Sequence, residues 1–194
     1  IVEMLELISG NKLNYEEIIT VLSQFENLKV LTLNQLNLSA IPIISIESLT
    51  LQSIKKLKFD EICLNFPNLK TLEIYDTKNL KVDLTLSKLT ELLIDGSNII
   101  TFNIPPLKRL TLCDLELKPA IFQSQKFNEL IIENCKNFHF FTDFMRQEDV
   151  SLDFLKIENC IISKAEMLCL NSDKVKSSIL LNCTVRKEFD TKRL

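Results

Sequence analysis

The segment Leu28-Lys29-Val30-Leu31-Thr32-Leu33 carries leucine at its first, fourth and sixth positions. The spacing LxxLxL returns, with Leu, Ile or Phe in the three slots, over residues 46–51, 69–74, 89–94, 107–112 and 127–132. Leu152, Leu155 and Ile157 make a further copy, Val2, Leu5 and Leu7 an opening one, and Ile179 with Leu181 a degenerate closing one. The middle slot advances from 5 to 31, 49, 72, 92, 110, 130, 155 and about 179, in steps of 18 to 26 residues. A single match would mean little in so leucine-rich a chain. Nine in approximate register define an internal repeat.

In the xLxLx centre of each copy, alternate side chains point to opposite faces of a short strand. The Leu/Ile pair turns inward and the residues around it turn outward. One such unit cannot bury its apolar face alone, so successive units must stack, with their strands side by side in a parallel sheet.

The lines FENLKVLTL (25–33) and FPNLKTLEI (66–74) resemble leucine-rich-repeat proteins in the stretch leading into each strand. That resemblance covers nearly the whole chain. It implies an α/β solenoid: a horseshoe with a concave parallel sheet of eight to nine short strands and a mixed helical, 3₁₀ and extended convex side, formed as one array over residues 1–194. Because the first residue is Ile and not Met, the chain is expected to be a fragment of a longer chain or a processed product lacking its native terminus. It also implies Asn or Cys in the turn, three residues beyond the second strand leucine. Here that slot holds Leu36, Ile54, Thr77, Ser97, Leu115, Cys135 and Cys160, followed by Cys183 or Thr184. No regular asparagine ladder is expected, and the repeated phrase IENC at 132–135 and 157–160 assigns its cysteines to turns.

Unit length predicts the convex side. Units of 18 to 20 residues leave no room for a helix, so residues 99–106 and 115–121 should return as extended or 3₁₀ segments. Pro42, Pro105, Pro106 and Pro119 suit such a path. Longer units can hold helices. Asn14 with Glu17 reads as a capping box before Ile18, Ile19, Leu22 and Phe25, and Ser163 with Glu166 as another before Met167, Leu168 and Leu170. A third helix is expected over 141–147, and the charged tail from Arg186 as a cap or the start of a further segment.

Composition narrows the function classes. Two glycines cannot supply phosphate-cradling loops. A net charge of -3 offers no basic excess for nucleic acid, and no apolar run approaches a membrane span. The six cysteines form no CxxC pair, which points to free thiols in a reducing compartment, the cytoplasm or nucleus. His139, the one histidine, is expected to lie partly buried in an aromatic loop, without a positioned partner. No catalytic, cofactor or metal site is expected. The triplets Asn37-Leu38-Ser39 and Asn182-Cys183-Thr184 match glycosylation acceptors, and Asn182 falls in a strand or its turn.

The outward strand residues are the candidate functional surface. Its early part, from Val30, Thr32 and Asn34 to Gln52, is neutral and polar. Later strands present Glu73, Tyr75, Glu91, Leu93, Asp95, Arg109, Glu129, Ile131, Glu133, Phe154, Lys156 and Glu158. Apolar groups among acids suit a partner protein that offers a hydrophobic anchor ringed by Lys or Arg. The expected role is a protein-interaction module, as in the partner-reading part of an adaptor such as a ubiquitin-ligase subunit. The alternatives are a structural subunit of a large assembly and a secreted or surface receptor-type array.

Overall fold

A computed structural model describes residues 2–8, 15–36, 43–54, 65–78, 80–84, 88–118, 121, 127–170 and 172–186. Among these residues most of the chain forms one parallel sheet with few helices, an α/β-type fold. Its nine strands are β1 (Met4–Ile8), β2 (Val30–Asn34), β3 (Ser48–Gln52), β4 (Thr71–Tyr75), β6 (Glu91–Asp95), β8 (Leu107–Cys113), β9 (Phe127–Glu133), β10 (Phe154–Glu158) and β12 (Ser178–Leu181), side by side in sequence order. Every neighbouring pair is parallel.

The register follows the leucine spacing. Leu31 lies opposite Leu49, Leu49 opposite Leu72, Leu72 opposite Leu92, and Leu92 opposite Leu110. The column continues through Leu130 and Leu155. All of these side chains are at most 1% exposed, and the second column, Leu33 through Ile157, is fully buried. Each buried leucine or isoleucine contributes about 1.5–3 kcal/mol relative to its exposed state, which makes the two columns the main stabilising element.

The closing copy is one residue out of the expected register. Leu155 pairs with Ser178 and Ile157 with Leu180, so Ser178 and Leu180 take the inward positions. Ile179 and Leu181 continue the outward face instead. A shift of one residue reverses every side chain, and a strand with three apolar residues in a row has no alternation to mark its faces. The same register settles the last turn slot on Cys183.

Between the main strands the chain returns along a second layer. There β5 (Leu80–Asp83) pairs with β7 (Ile99–Asn103), and β11 (Ile161–Ser163) with β13 (Thr184–Arg186), all parallel. The extended return expected over 99–106 is observed as β7, whereas in the stretch 115–121 Ile121 is helical and residues 119–120 lie outside the described residues; β11 and β13 belong to longer units. Pro42, Pro119 and the triplet at 37–39 lie outside the described residues. The helices are α1 (Tyr15–Leu22), α2 (His139–Arg146) and α3 (Lys164–Leu170). Helix α1 buries Ile18 and Leu22, four residues apart on one face.

Helix α2 starts at His139, two residues before the expected position, and buries Phe141, Thr142, Phe144 and Met145. Phe144 stacks on Phe127 of β9 with ring centroids 5.2 Å apart. Helix α3 has the expected capping box: the Ser163 N–H donates to the Glu166 carboxylate at 2.5 Å, and the Glu166 N–H to the Ser163 hydroxyl at 3.2 Å. Leu168, expected on the apolar face, is 66% exposed, because Glu166 and Leu170 occupy the buried side.

Candidate functional site

Two features position the outward residues: the strand register and a repeated turn at the strand ends. After the second inward residue and one outward residue, the chain passes through a left-handed residue: Gln35, Ser53, Asp76, Gly96, Asp114, Asn134, Asn159 and Asn182, with φ between 50° and 58°. The N–H of this residue donates to the last carbonyl of the next strand, as from Gln35 to Gln52 (2.9 Å), Asp76 to Asp95 (3.0 Å) and Asn159 to Leu181 (3.0 Å). Asn, Asp and Gly tolerate this conformation, which gave a sequence signal that the leucine count passed over. Gly96 is the one glycine in this series, and a Cβ there would lie 2.7 Å from Oδ1 of the Asp76 carboxylate, which would have to shift.

The next residue is the turn slot. Thr77, Ser97, Cys135, Cys160 and Cys183 each donate their hydroxyl or thiol to the carbonyl two residues earlier, at 3.0–3.4 Å. As expected, no asparagine ladder forms: hydroxyls and thiols serve these five slots, while Leu36, Ile54 and Leu115 fill the other three. Burial pushes the Cys135 thiol up to about 12 and also raises Cys160. These thiols stay protonated at neutral pH, and a thiol is a poor nucleophile in that state. His139 is exposed and tilts against Phe140, with ring centroids 3.9 Å apart, instead of lying partly buried. It became the first residue of α2, where its side chain is free of the helix's buried face.

The twelve candidate residues all lie on the outward face and are all partly exposed. Pairing arranges them in three rows across the strands. The first runs Thr71, Glu91, Arg109, Glu129, Phe154; the second Glu73, Leu93, Thr111, Ile131, Lys156; the third Tyr75, Asp95, Cys113, Glu133, Glu158. Neighbours within a row are about 4.8 Å apart. The four apolar members do not form one patch. Leu93 and Ile131 share a row but flank Thr111, while Tyr75 and Phe154 stand at opposite corners.

Both cations on this surface are already engaged. Arg109 Nε lies 2.7 Å from Glu129 Oε2, and Lys156 Nζ lies 2.5 Å from Glu158 Oε2. The hydrogen bonds to these carboxylates raise the affinity of both groups for their protons. Glu73 accepts from the Thr50 hydroxyl at 3.3 Å and from the Tyr75 hydroxyl at 3.2 Å. Burial, then the Glu73 charge, pushes the Tyr75 phenol up to about 12.

The third row is the acidic one. Asp95 is raised above its ordinary 3.8, first by burial and then by Asp114, Asp76 and Glu133. Cys113, between Asp95 and Glu133 in this row, is pushed up to about 12 by burial and then by the same carboxylates. Sequence reasoning missed Asp76 and Asp114, because they belong to the left-handed turn position and not to the strands.

A separate cleft of about 690 Å³ lies beyond the strand ends, among residues that include Asn134, Asn159, His139, Glu166 and Arg186. Among the described residues no group of three or more His, Cys, Asp or Glu is placed to hold a metal ion, and no helix is long and apolar enough to cross a membrane. No protein-family model, curated protein or solved structure matches the chain.

Proposed function

We propose that the chain is a leucine-rich-repeat array that binds another protein on the outward face of its nine-stranded sheet. The in-register recurrence of the leucine columns supports the repeat reading. The binding reading is carried by the charge balance of the face. Its twelve candidate residues include six carboxylates and two cations, and both cations are bridged to neighbouring glutamates. A partner with Lys or Arg around an apolar side chain would gain ion pairs with Glu91, Asp95 and Glu133, and contact with Tyr75, Leu93 or Ile131. The five described cysteines are free, which supports an intracellular setting.

The test is affinity capture from lysate of the source cells, with the wild type and the triple variant Glu91→Lys, Asp95→Lys, Glu133→Lys as baits. The wild type should retain a basic partner that salt releases. The folded variant should retain it at least tenfold less, on the scale of 1.4 kcal/mol per tenfold. Equal retention by both baits refutes the assignment of this face.

A further inference from the structure

At mid-sheet the two ends of the strands carry opposite charge, and we infer that the partner presents a charge-polarised segment: acidic at one end, apolar in the middle and basic at the other. On the reading of the outward face as a protein-binding surface, on which this proposal rests, the segment lies along the strands and not across them. The acidic end of the surface is the rim of Asp76, Asp95, Asp114 and Glu133, where β4, β6, β8 and β9 finish.

Where the same strands begin, the exposed side chains are cationic. Lys70 and Lys108 stand on either side of Thr90 in one row: the Thr90 N–H donates to the Lys70 carbonyl at 2.8 Å, and the Lys108 N–H to the Thr90 carbonyl at 2.8 Å. Lys88 lies two residues before Thr90. Lys70 bridges Glu47 at 2.9 Å, whereas Lys88 and Lys108 are exposed and no ion pair among the described residues engages them. Asn68, Lys70, Lys88 and Thr90 line one end of a groove of about 680 Å³ along this rim. Of its carboxylates, Glu3 and Glu47 are bridged to Lys29 and Lys70, and Glu26 belongs to the turn before β2.

The distance from Lys108 to Asp114, along β8 and into its turn, is about 20 Å of extended chain. Between the two rims the middle row offers Leu93, Thr111 and Ile131 on three successive strands. The row next to the lysines is nearly neutral, since Arg109 stands between Glu91 and Glu129 and bridges Glu129 at 2.7 Å. A segment with acids over Lys88 and Lys108, an apolar side chain over Leu93 and Ile131, and cations over Asp95 and Glu133 meets opposite charge at both ends. Turned around, it meets like charge at both, so the surface also sets the direction of the segment. A wholly basic segment laid along the strands gains at one rim and is repelled at the other.

The test uses the whole chain and three capped, dye-labelled hexapeptides in fluorescence anisotropy at physiological salt. They are the blocked Glu-Glu-Leu-Leu-Lys-Lys, the alternated Glu-Lys-Leu-Leu-Glu-Lys and the basic Lys-Lys-Leu-Leu-Lys-Lys. The blocked peptide should bind about 5-fold tighter than either of the others. Lys88→Gln with Lys108→Gln, shown folded by circular dichroism, should abolish its advantage over the alternated peptide. Lys88→Glu with Lys108→Glu should go further and favour the basic peptide. A wild type that prefers the basic peptide overturns the inference and leaves the outward face as a site for basic partners. Equal binding of the blocked and alternated peptides overturns it, and so does a preference that both lysine variants retain. Binding of none of the three at millimolar concentration overturns it as well, and the capture from lysate then decides the outward-face reading by itself.

Discussion

Replacing Ser97 by alanine tests whether the turn ladder holds the strand ends. The Ser97 side chain is 6% exposed; its oxygen accepts from the Thr77 N–H at 3.0 Å, and its hydroxyl donates to the Asp95 carbonyl at 3.0 Å. That carbonyl also receives the Asp76 N–H at 3.0 Å, so it keeps a partner in the variant. The Thr77 N–H does not, and Thr77 is only 5% exposed. A buried donor left unpaired costs about 1–3 kcal/mol, and that sets the expected loss. For a chain of this length, the loss corresponds to roughly 2–4 °C in Tm per kcal/mol. Thr77→Val is the control. It removes only the hydroxyl bond to the Tyr75 carbonyl (3.2 Å), which retains the Ser53 N–H at 2.9 Å, and should cost about 0.5–1 kcal/mol. Ser97→Cys, the residue used at 135 and 160, should recover part of the loss. The assay is urea unfolding with unchanged m values. If Ser97→Ala costs no more than Thr77→Val, the Thr77 donor reaches water and the ladder has no stabilising role.

Leu110→Ala, at a fully buried site in mid-sheet, should cost about 3–5 kcal/mol in the same assay, against about 1–2 kcal/mol for Leu180→Ala at 40% exposure. Equal costs would mean that β12 is covered as completely as the interior strands. Asp95→Asn should stabilise the protein at neutral pH by roughly 1–2 °C, an amount kept small because the group is largely solvated. The folded chain holds this proton more tightly than the unfolded chain, so its contribution to stability falls as pH rises from about 3.8 through the raised folded value. The gain from the substitution should therefore shrink as pH falls back through that window, and a gain independent of pH would refute the electrostatic origin.

Much of the sheet was legible because one residue type carried both position and role. Leucine at xLxLx fixes which side chains face inward, and parallel stacking then places Leu31, Leu72, Leu92 and Leu110 in one column. The capping box at Ser163 was legible for a similar reason, since two side chains satisfy two backbone donors at a fixed spacing of three. What could not be read depended on contacts between units. Nothing near residue 180 distinguishes Ile179 and Leu181 from Leu180 as inward residues, and only pairing with Leu155 and Ile157 chooses. His139 sits among phenylalanines, but the helix turns it outward while Phe141 and Phe144 pack inward. The engagement of Arg109 and Lys156 was also hidden, since it depends on which strand lies beside which. The strand register made the candidate face contiguous, yet it separated the apolar residues that sequence order had suggested were interleaved.

The same register explains where the charge of the face is concentrated. In the first row Arg109 stands between Glu91 and Glu129, so that row is partly neutralised from within. The third row contains no cation. It carries Asp95, Glu133 and Glu158, and the left-handed turn adds Asp76 and Asp114 immediately beyond it. A conformation that favours Asp for backbone reasons has thus placed carboxylates along the rim of the sheet, next to acids selected by strand position. Burial first, and then that crowding, raises the affinity of Asp95 for its proton. For a basic partner, the attraction is therefore strongest at the rim where the strands end, and the apolar group best placed beside it is Tyr75, with Leu93 one row inward.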